Sequence, residues 1–128
     1  IMNRIIDYEN LSNKIQEWIL KYTINNNIHN LVIGVSGGID SAVVSTLCAK
    51  TGLPTVVVGI SINSNSSNTE LSDLQVENLS GTYKNVMGYH LNLSSVFNEF
   101  KSQKIFTKMF SSDLGFANTK SRLRMMTL

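Results

Sequence analysis

Leu31-Val32-Ile33-Gly34-Val35-Ser36-Gly37-Gly38-Ile39-Asp40-Ser41-Ala42-Val43-Val44 is the stretch that decides the fold. Leu31 to Val35 is a short apolar run, as expected of a strand covered by helices on both faces. Residues 42–47 read as a helix. Between them, Gly37 and Gly38 let the backbone turn sharply and aim consecutive N–H groups at an anion. The positive end of the following helix faces the same point. Ser36 and Ser41 add hydroxyl donors, and Asp40 offers a hard oxygen for the Mg²⁺ that accompanies ATP. A turn required by geometry alone would explain the glycines but not Ser36, Asp40 and Ser41. The octapeptide Gly34 to Ser41 therefore reads as a phosphate cradle. It is not a Walker A loop, because Gly-x-x-x-x-Gly-Lys-Ser/Thr is absent.

Outward from this loop, helical and strand patterns alternate. From Tyr8 to Tyr22 the residues Leu11, Ile15, Trp18, Ile19 and Tyr22 recur at helical spacing, and Asn25-Asn26-Asn27 ends that helix. After the loop, the helix runs to about Lys50, with Gly52 as its cap and Pro54 blocking continuation. Thr55 to Ile62 is a strand rich in β-branched residues. Ser67 and Glu70 fit a capping box for a third helix, which is expected to turn Leu71, Leu74 and Leu79 inward and to end near Gly81. Val86 to Leu93 reads as a third strand, weakened by Gly88. Ser94 or Ser95 caps a fourth helix carrying Val96, Phe97 and Phe100. Residues 101–113, with Ile105, Phe106, Met109 and Phe110, fit either a continued helix or a packed loop, and a last helix begins at Asn118.

This alternation predicts an α/β fold with a parallel sheet, helices on both faces and right-handed crossovers. Ligand in such a sheet lies beyond the carboxyl ends of the strands, where the strand order reverses. Three strands suggest part of a larger sheet.

The 128 residues suffice for one domain. With 42% hydrophobic and 16% charged residues the chain is an ordinary globular one. A net charge of +2 gives no argument for nucleic acid, and no apolar run approaches a membrane span. Cys48 is the only cysteine, which rules out a disulfide framework within the chain and a thiolate cluster, and makes a reducing cytoplasm the expected compartment. On its apolar helix Cys48 reads as a small packed residue. His29 and His90 read as structural or exposed, and no Ser–His–Asp or Cys–His pair is evident.

A second informative segment is Gly115-Phe116-Ala117-Asn118-Thr119-Lys120-Ser121-Arg122-Leu123-Arg124-Met125-Met126. Asn118, Arg122 and Met125 fall on one helical face, with Lys120 and Arg124 on a neighbouring stripe. Two arginines there suit a ligand carrying phosphates and a carboxylate, through planar bidentate donors. A solvated basic surface is the plainer reading of the segment taken alone.

The loop resembles the pyrophosphate loop of the N-type ATP pyrophosphatases, shared by NAD synthetase, GMP synthetase, asparagine synthetase and argininosuccinate synthetase. The Asn118–Met125 segment is similar to the Gly-Asn-x-Lys-Ala-Arg-x-Arg-Met helix of NAD synthetase, and the helix with Trp18-Ile19 is similar to that family's N-terminus. The resemblance covers nearly the whole chain and implies the N-terminal part, residues 1–128, of a single domain of the Rossmann-like adenine nucleotide alpha-hydrolase type. It implies a ligase of the ammonia-dependent form: ATP adenylates the nicotinate carboxylate of deamido-NAD with release of PPi, and ammonia gives the amide. By the same resemblance Gly34, Val35, Ser36, Gly37, Gly38, Ile39, Asp40 and Ser41 bind ATP, Asp40 ligates Mg²⁺, and Arg122, with Arg124 beside it, contacts deamido-NAD. A homodimer is implied as well. The end of the second strand departs from the family's pattern, since Gly59-Ile60-Ser61-Ile62-Asn63 lacks its Leu-Pro. Another ATP pyrophosphatase, GMP synthetase-like or tRNA-modifying, and a non-catalytic nucleotide-binding fragment are the alternatives.

Overall fold

A computed structural model of the chain describes residues 7–103 and 113–128. Among these described residues, five helices and three strands follow in the order α1 (Tyr8–Asn25), β1 (Leu31–Val35), α2 (Ile39–Lys50), β2 (Thr55–Ser61), α3 (Ser66–Thr82), β3 (Val86–Asn92), α4 (Ser94–Lys101) and α5 (Asp113–Thr127). The sheet is parallel, with Leu31 opposite Thr55 and Val35 opposite Gly59, then Thr55 opposite Val86 and Ser61 opposite Asn92. Its order is β1-β2-β3 without reversal, so the reversal expected beside the ligand does not occur among the described strands.

Neighbouring residues of a strand face opposite sides, and the core divides accordingly. Val35, Val57 and Val86 pack against Ala49 of α2 and Val76 and Leu79 of α3. Val58, Ile60 and Ile62 face the other way, onto Phe97 of α4 and the half-buried Phe116 and Leu123 of α5. Phe97 and Phe116 meet edge to face, with centroids 6.2 Å apart. Helices thus cover both faces, as the continuous apolar strands require.

Local signals hold at several boundaries. Asp7 caps α1 by accepting the Asn10 N–H at 2.9 Å, and Asn27 ends that region at φ +54, a left-handed value that asparagine tolerates. Gly52 takes φ +78 just after α2. Other expectations are corrected. α3 starts at Ser66 behind Asn65, so Ser67 lies inside the helix and caps nothing. Its sheet-facing stripe is Ser72, Val76 and Leu79, while Leu71 and Leu74 are 53% and 63% exposed. The reason is close approach: a Cβ on Gly88 would stand 2.6 Å from Val76, so small residues let α3 settle onto β3. Gly88 therefore admits the helix and leaves the strand pairing intact.

On α1, Leu11, Ile15 and Ile19 are half-buried, whereas Trp18 and Tyr22 lie off that stripe, exposed and stacked on each other at 5.5 Å. Ser94 does not cap α4 either; it accepts the Asn63 N–H at 2.9 Å, and Asn92 accepts the Ser94 N–H instead. Of the apolar residues expected inside α4, Phe97 is buried and Val96 is half exposed. The last helix is already formed at Asp113, ahead of the expected start at Asn118. Ile105, Phe106, Met109 and Phe110 lie outside the described residues.

Candidate functional site

The glycine loop leaves the carboxyl end of β1 and enters α2 through Gly37, at φ +84, and Gly38, which occupies the N-cap position. Two serines close it. Ser41 Oγ accepts the Ser36 N–H at 3.1 Å and donates to the Gly38 carbonyl at 3.0 Å, while Ser36 Oγ accepts the Gly38 N–H at 3.3 Å. The first intrahelical bond runs from Ala42 N–H to the Gly38 carbonyl. The N–H groups of Ile39, Asp40 and Ser41 precede it and have no acceptor within the helix. Four residues of one turn thus present free or hydroxyl-held donors at the positive end of a twelve-residue helix.

Asp40 stands exposed in that first turn, with no hydrogen-bond or ion-pair partner among the described residues. No group of three or more acidic, histidine or cysteine side chains that could hold a metal occurs among them. A lone hard carboxylate beside phosphate donors fits Mg²⁺, which keeps most of its waters and takes its remaining ligands from a substrate's phosphates.

Behind the loop stands α3. A Cβ on Gly37 would lie 2.7 Å from the Asn68 carbonyl oxygen, and the buried Ser72 hydroxyl donates to the Val35 carbonyl at 2.8 Å. Beside Ser36 a cleft of about 170 Å³ is lined by Ser61, Asn68, Asp73, His90 and Asn92, with Ile60 and Leu91. Asp73 Oδ1 and His90 Nδ1 are 2.7 Å apart there. Sequence reasoning left this pair unnoticed, taking His90 as structural or exposed. Only the β2–β3 register, which puts His90 opposite Gly59 under α3, brings the two residues together.

On the opposite face of the sheet, α5 and the first two strands enclose a second cleft of about 400 Å³, lined by Gly34, Ser36, Val58, Ser121, Arg124 and Met125. A Cβ on Gly34 would lie 2.9 Å from Leu128 Cδ1, the end of a flexible side chain that can turn aside. Arg124 is half-buried and donates from Nε to the Ile60 carbonyl at 3.4 Å. Arg122 is exposed and lies with Leu123 and Met126 against Val96, Phe97 and Phe100 of α4. The expected grouping is thereby revised. Met125 shares a face with Arg124 and Ser121, not with Arg122, and of the two arginines only Arg124 adjoins the loop.

Cys48 is 5% exposed, and burial raises its thiol pKa, as suits a packed side chain. Among the described residues no helix is long and apolar enough to cross a membrane.

Solved structures share this fold. A family model described as NAD synthase matches residues 11–128. An NH(3)-dependent NAD(+) synthetase of Carboxydothermus hydrogenoformans is 32% identical over 124 residues, covering 96% of this chain and 49% of the relative. One from Methanococcus aeolicus is also 32% identical, over 94% of this chain and 46% of its own length. Among solved structures, NMN synthetase from Francisella tularensis superimposes with a TM-score of 0.82 at 30% identity, covering 97% of this chain and 49% of that one. The NH3-dependent NAD synthetase of Campylobacter jejuni, in complex with nitrate, gives 0.77 at 26% identity, over 96% and 51%. The chain spans about half the length of these relatives. With a three-stranded parallel sheet, a serine-closed glycine loop and a family match over nearly its whole length, the chain belongs to the NAD synthase family.

Proposed function

We propose that this chain supplies the ATP-binding part of a ligase that amidates the nicotinate carboxylate of deamido-NAD with ammonia. The observation that carries the reading is the loop Gly34 to Ser41, whose N–H groups and two hydroxyls converge at the N-terminus of α2 beside Asp40, which has no partner among the described residues. In the first step a carboxylate oxygen of the acceptor attacks the α-phosphorus, and the bond to pyrophosphate breaks. Charge builds on the departing pyrophosphate, and donors fixed in advance around it lower the barrier. The N–H groups of Ile39, Asp40 and Ser41 take that role, and the Ser41 hydroxyl turns from the Gly38 carbonyl, and the Ser36 hydroxyl from Ser41 Oγ at 3.1 Å, toward phosphate oxygens. Asp40 holds Mg²⁺, which neutralises phosphate charge when bound. Ammonia then attacks the acyl carbon, AMP leaves, and the amide nitrogen loses a proton. No side-chain nucleophile takes part.

Arg122, exposed on the α4–α5 face, is the residue for deamido-NAD. The same face carries the exposed Val96 and Met126, which supports a homodimer formed across it, as sedimentation would report. A single buried cysteine fits a reducing cytoplasm.

Calorimetry of the chain with ATP and Mg²⁺ tests the first half of the reading. Uptake should be seen in the wild type and be weakened in Asp40→Asn. For the second half, this chain joined to the carboxyl-terminal half of the Carboxydothermus enzyme should release PPi and NAD in equal amounts from deamido-NAD, ATP and ammonium. ATP uptake without PPi release would favour a binding fragment. AMP formed only with xanthosine monophosphate or a tRNA base would favour the sibling ATP pyrophosphatases.

A second reading has its own support. The Francisella structure, an NMN synthetase, matches at higher identity and TM-score than the Campylobacter NAD synthetase. The acceptor could then be nicotinate mononucleotide, and offering both acceptors to the same fusion decides between them.

A further inference from the structure

The two arginines of α5 serve different ligands: we infer that Arg124 is a nucleotide residue, binding the ATP phosphate nearest the base, while Arg122 alone remains for the acceptor. This rests on the reading that the glycine loop receives ATP. Three observations carry it. Arg124 shares one cleft with Gly34 and Ser36, the first residues of the loop, whereas Arg122 lies on the α4 side of the same helix.

That cleft has the build of a nucleoside slot that opens onto a phosphate site. Val58, Met125 and Leu128 wall it with apolar surface, Gly34 keeps one wall free of a side chain, and the polar groups are Ser36, Ser121 and Arg124. Its volume of about 400 Å³ lies in the range of small-molecule sites. A cation placed beside Ser36 meets the ligand where the base ends and the phosphates begin.

The third observation is the state of the guanidinium. Arg124 is half-buried, yet it has no carboxylate partner among the described residues. Only Nε is engaged, in a long bond to the Ile60 carbonyl, and both Nη groups have no acceptor among the described residues. Two lysines of the same layer lie over aromatic faces, Lys101 over Phe116 at 4.8 Å and Lys120 over Phe97 at 5.3 Å. A partly desolvated charge held by one backbone bond and lacking a counter-ion is arranged for an anion that arrives with the ligand. The bond through Nε leaves the outer edge of the guanidinium for two phosphate oxygens, the bidentate geometry arginine favours.

The test is calorimetry on the 128-residue chain with adenosine, AMP and ATP–Mg²⁺. Arg124→Gln removes the charge and keeps an N–H donor. It should weaken AMP and ATP about tenfold or more, the loss expected for a charge-assisted pair, and leave adenosine unchanged. Arg122→Gln should leave all three unchanged, and Arg124→Lys should recover part of the loss. Unchanged AMP and ATP binding in Arg124→Gln overturns the assignment, while Asp40→Asn losing ATP in the same series keeps the nucleotide reading standing. Loss for ATP without loss for AMP also overturns it, by placing Arg124 on an outer phosphate. A wild-type chain that takes up no nucleotide removes the reading and the inference together. Should Arg124→Gln fail to fold, phenylglyoxal labelling of the wild type decides. AMP, and not adenosine, should protect Arg124 while Arg122 stays reactive, and equal labelling with and without AMP refutes the assignment.

Discussion

The Ser72 hydroxyl donates to the Val35 carbonyl at 2.8 Å across the boundary between α3 and the end of β1, with both residues buried. Val35 immediately precedes the glycine loop, so this bond fixes the point from which the loop departs. Ser72→Ala should cost about 1–3 kcal/mol, because a buried carbonyl loses its donor. Urea unfolding measures that cost. Calorimetry should show ATP binding weakened beyond the small fraction of unfolded chain, and unchanged ATP affinity in the folded variant would separate stability from loop placement.

Gly37 and Gly52 both sit at left-handed φ, +84 and +78, but their surroundings differ. A Cβ on Gly52 meets nothing within 4 Å, whereas one on Gly37 meets the Asn68 carbonyl oxygen at 2.7 Å and Leu71 Cβ at 3.2 Å. Gly52→Ala should therefore cost about 1–2 kcal/mol of backbone conformation alone. Gly37→Ala should cost more, since backbone cannot move aside as a flexible side chain can, and should weaken ATP binding. Thermal melts of the two variants side by side isolate the steric part. Equal losses would mean that α3 yields and does not brace the loop.

Much of this was legible from residues 31–41, because strand, turn and helix N-terminus are local events recorded in adjacent residues. The second strand was legible for the same reason, through a β-branched run bounded by Gly52, Pro54 and the polar stretch after Ile62, and the third was legible as the run from Val86 in spite of Gly88. What stayed hidden depends on tertiary approach. Periodicity assigned Leu71 and Leu74 to the core because they are the large apolar residues of α3. The helix instead turns its small residues to the sheet, and Gly37, Gly59 and Gly88 make room for them. The Asp73–His90 pair and the Ser72–Val35 bond join residues 17 and 37 positions apart, which no local spacing records. Helical spacing put Arg122 and Arg124 on neighbouring stripes but not in different clefts, because a helical wheel gives relative angles and not which neighbour each face meets.

The Asp73–His90 contact, at 2.7 Å with both side chains close to half exposed, is a surface hydrogen bond that becomes an ion pair only when the imidazole carries a proton. Such pairs contribute about 0–1 kcal/mol and weaken with salt. Asp73→Asn should accordingly shift the urea midpoint only slightly, and in buffer acidic enough to protonate imidazole the difference from wild type should shrink between low and high salt. The same holds for His90→Gln, and the double variant should be less destabilised than the sum of the two singles. A loss of several kcal/mol would contradict the exposed geometry and point to a wider network in the Ser36 cleft.

Cys48 offers a measurement on the closed state of the domain. Burial at 5% exposure raises its thiol pKa above the ordinary 9.0, so the fold favours the protonated form. The sign follows from proton counting: between 9.0 and the raised value the folded chain holds a proton that the unfolded chain has released. Stability from this group is therefore fully present below pH 9.0 and is lost as pH climbs through the folded value. At pH 8 a disulfide reagent should react with Cys48 far more slowly than with the urea-unfolded chain, at a rate set by opening of the α2–sheet core. Cys48→Ala should flatten the alkaline decline relative to wild type in melts above pH 9.0. Rapid labelling at pH 8 would show instead that α2 separates readily from β1, which would leave the glycine loop without a fixed helix N-terminus to bind phosphate.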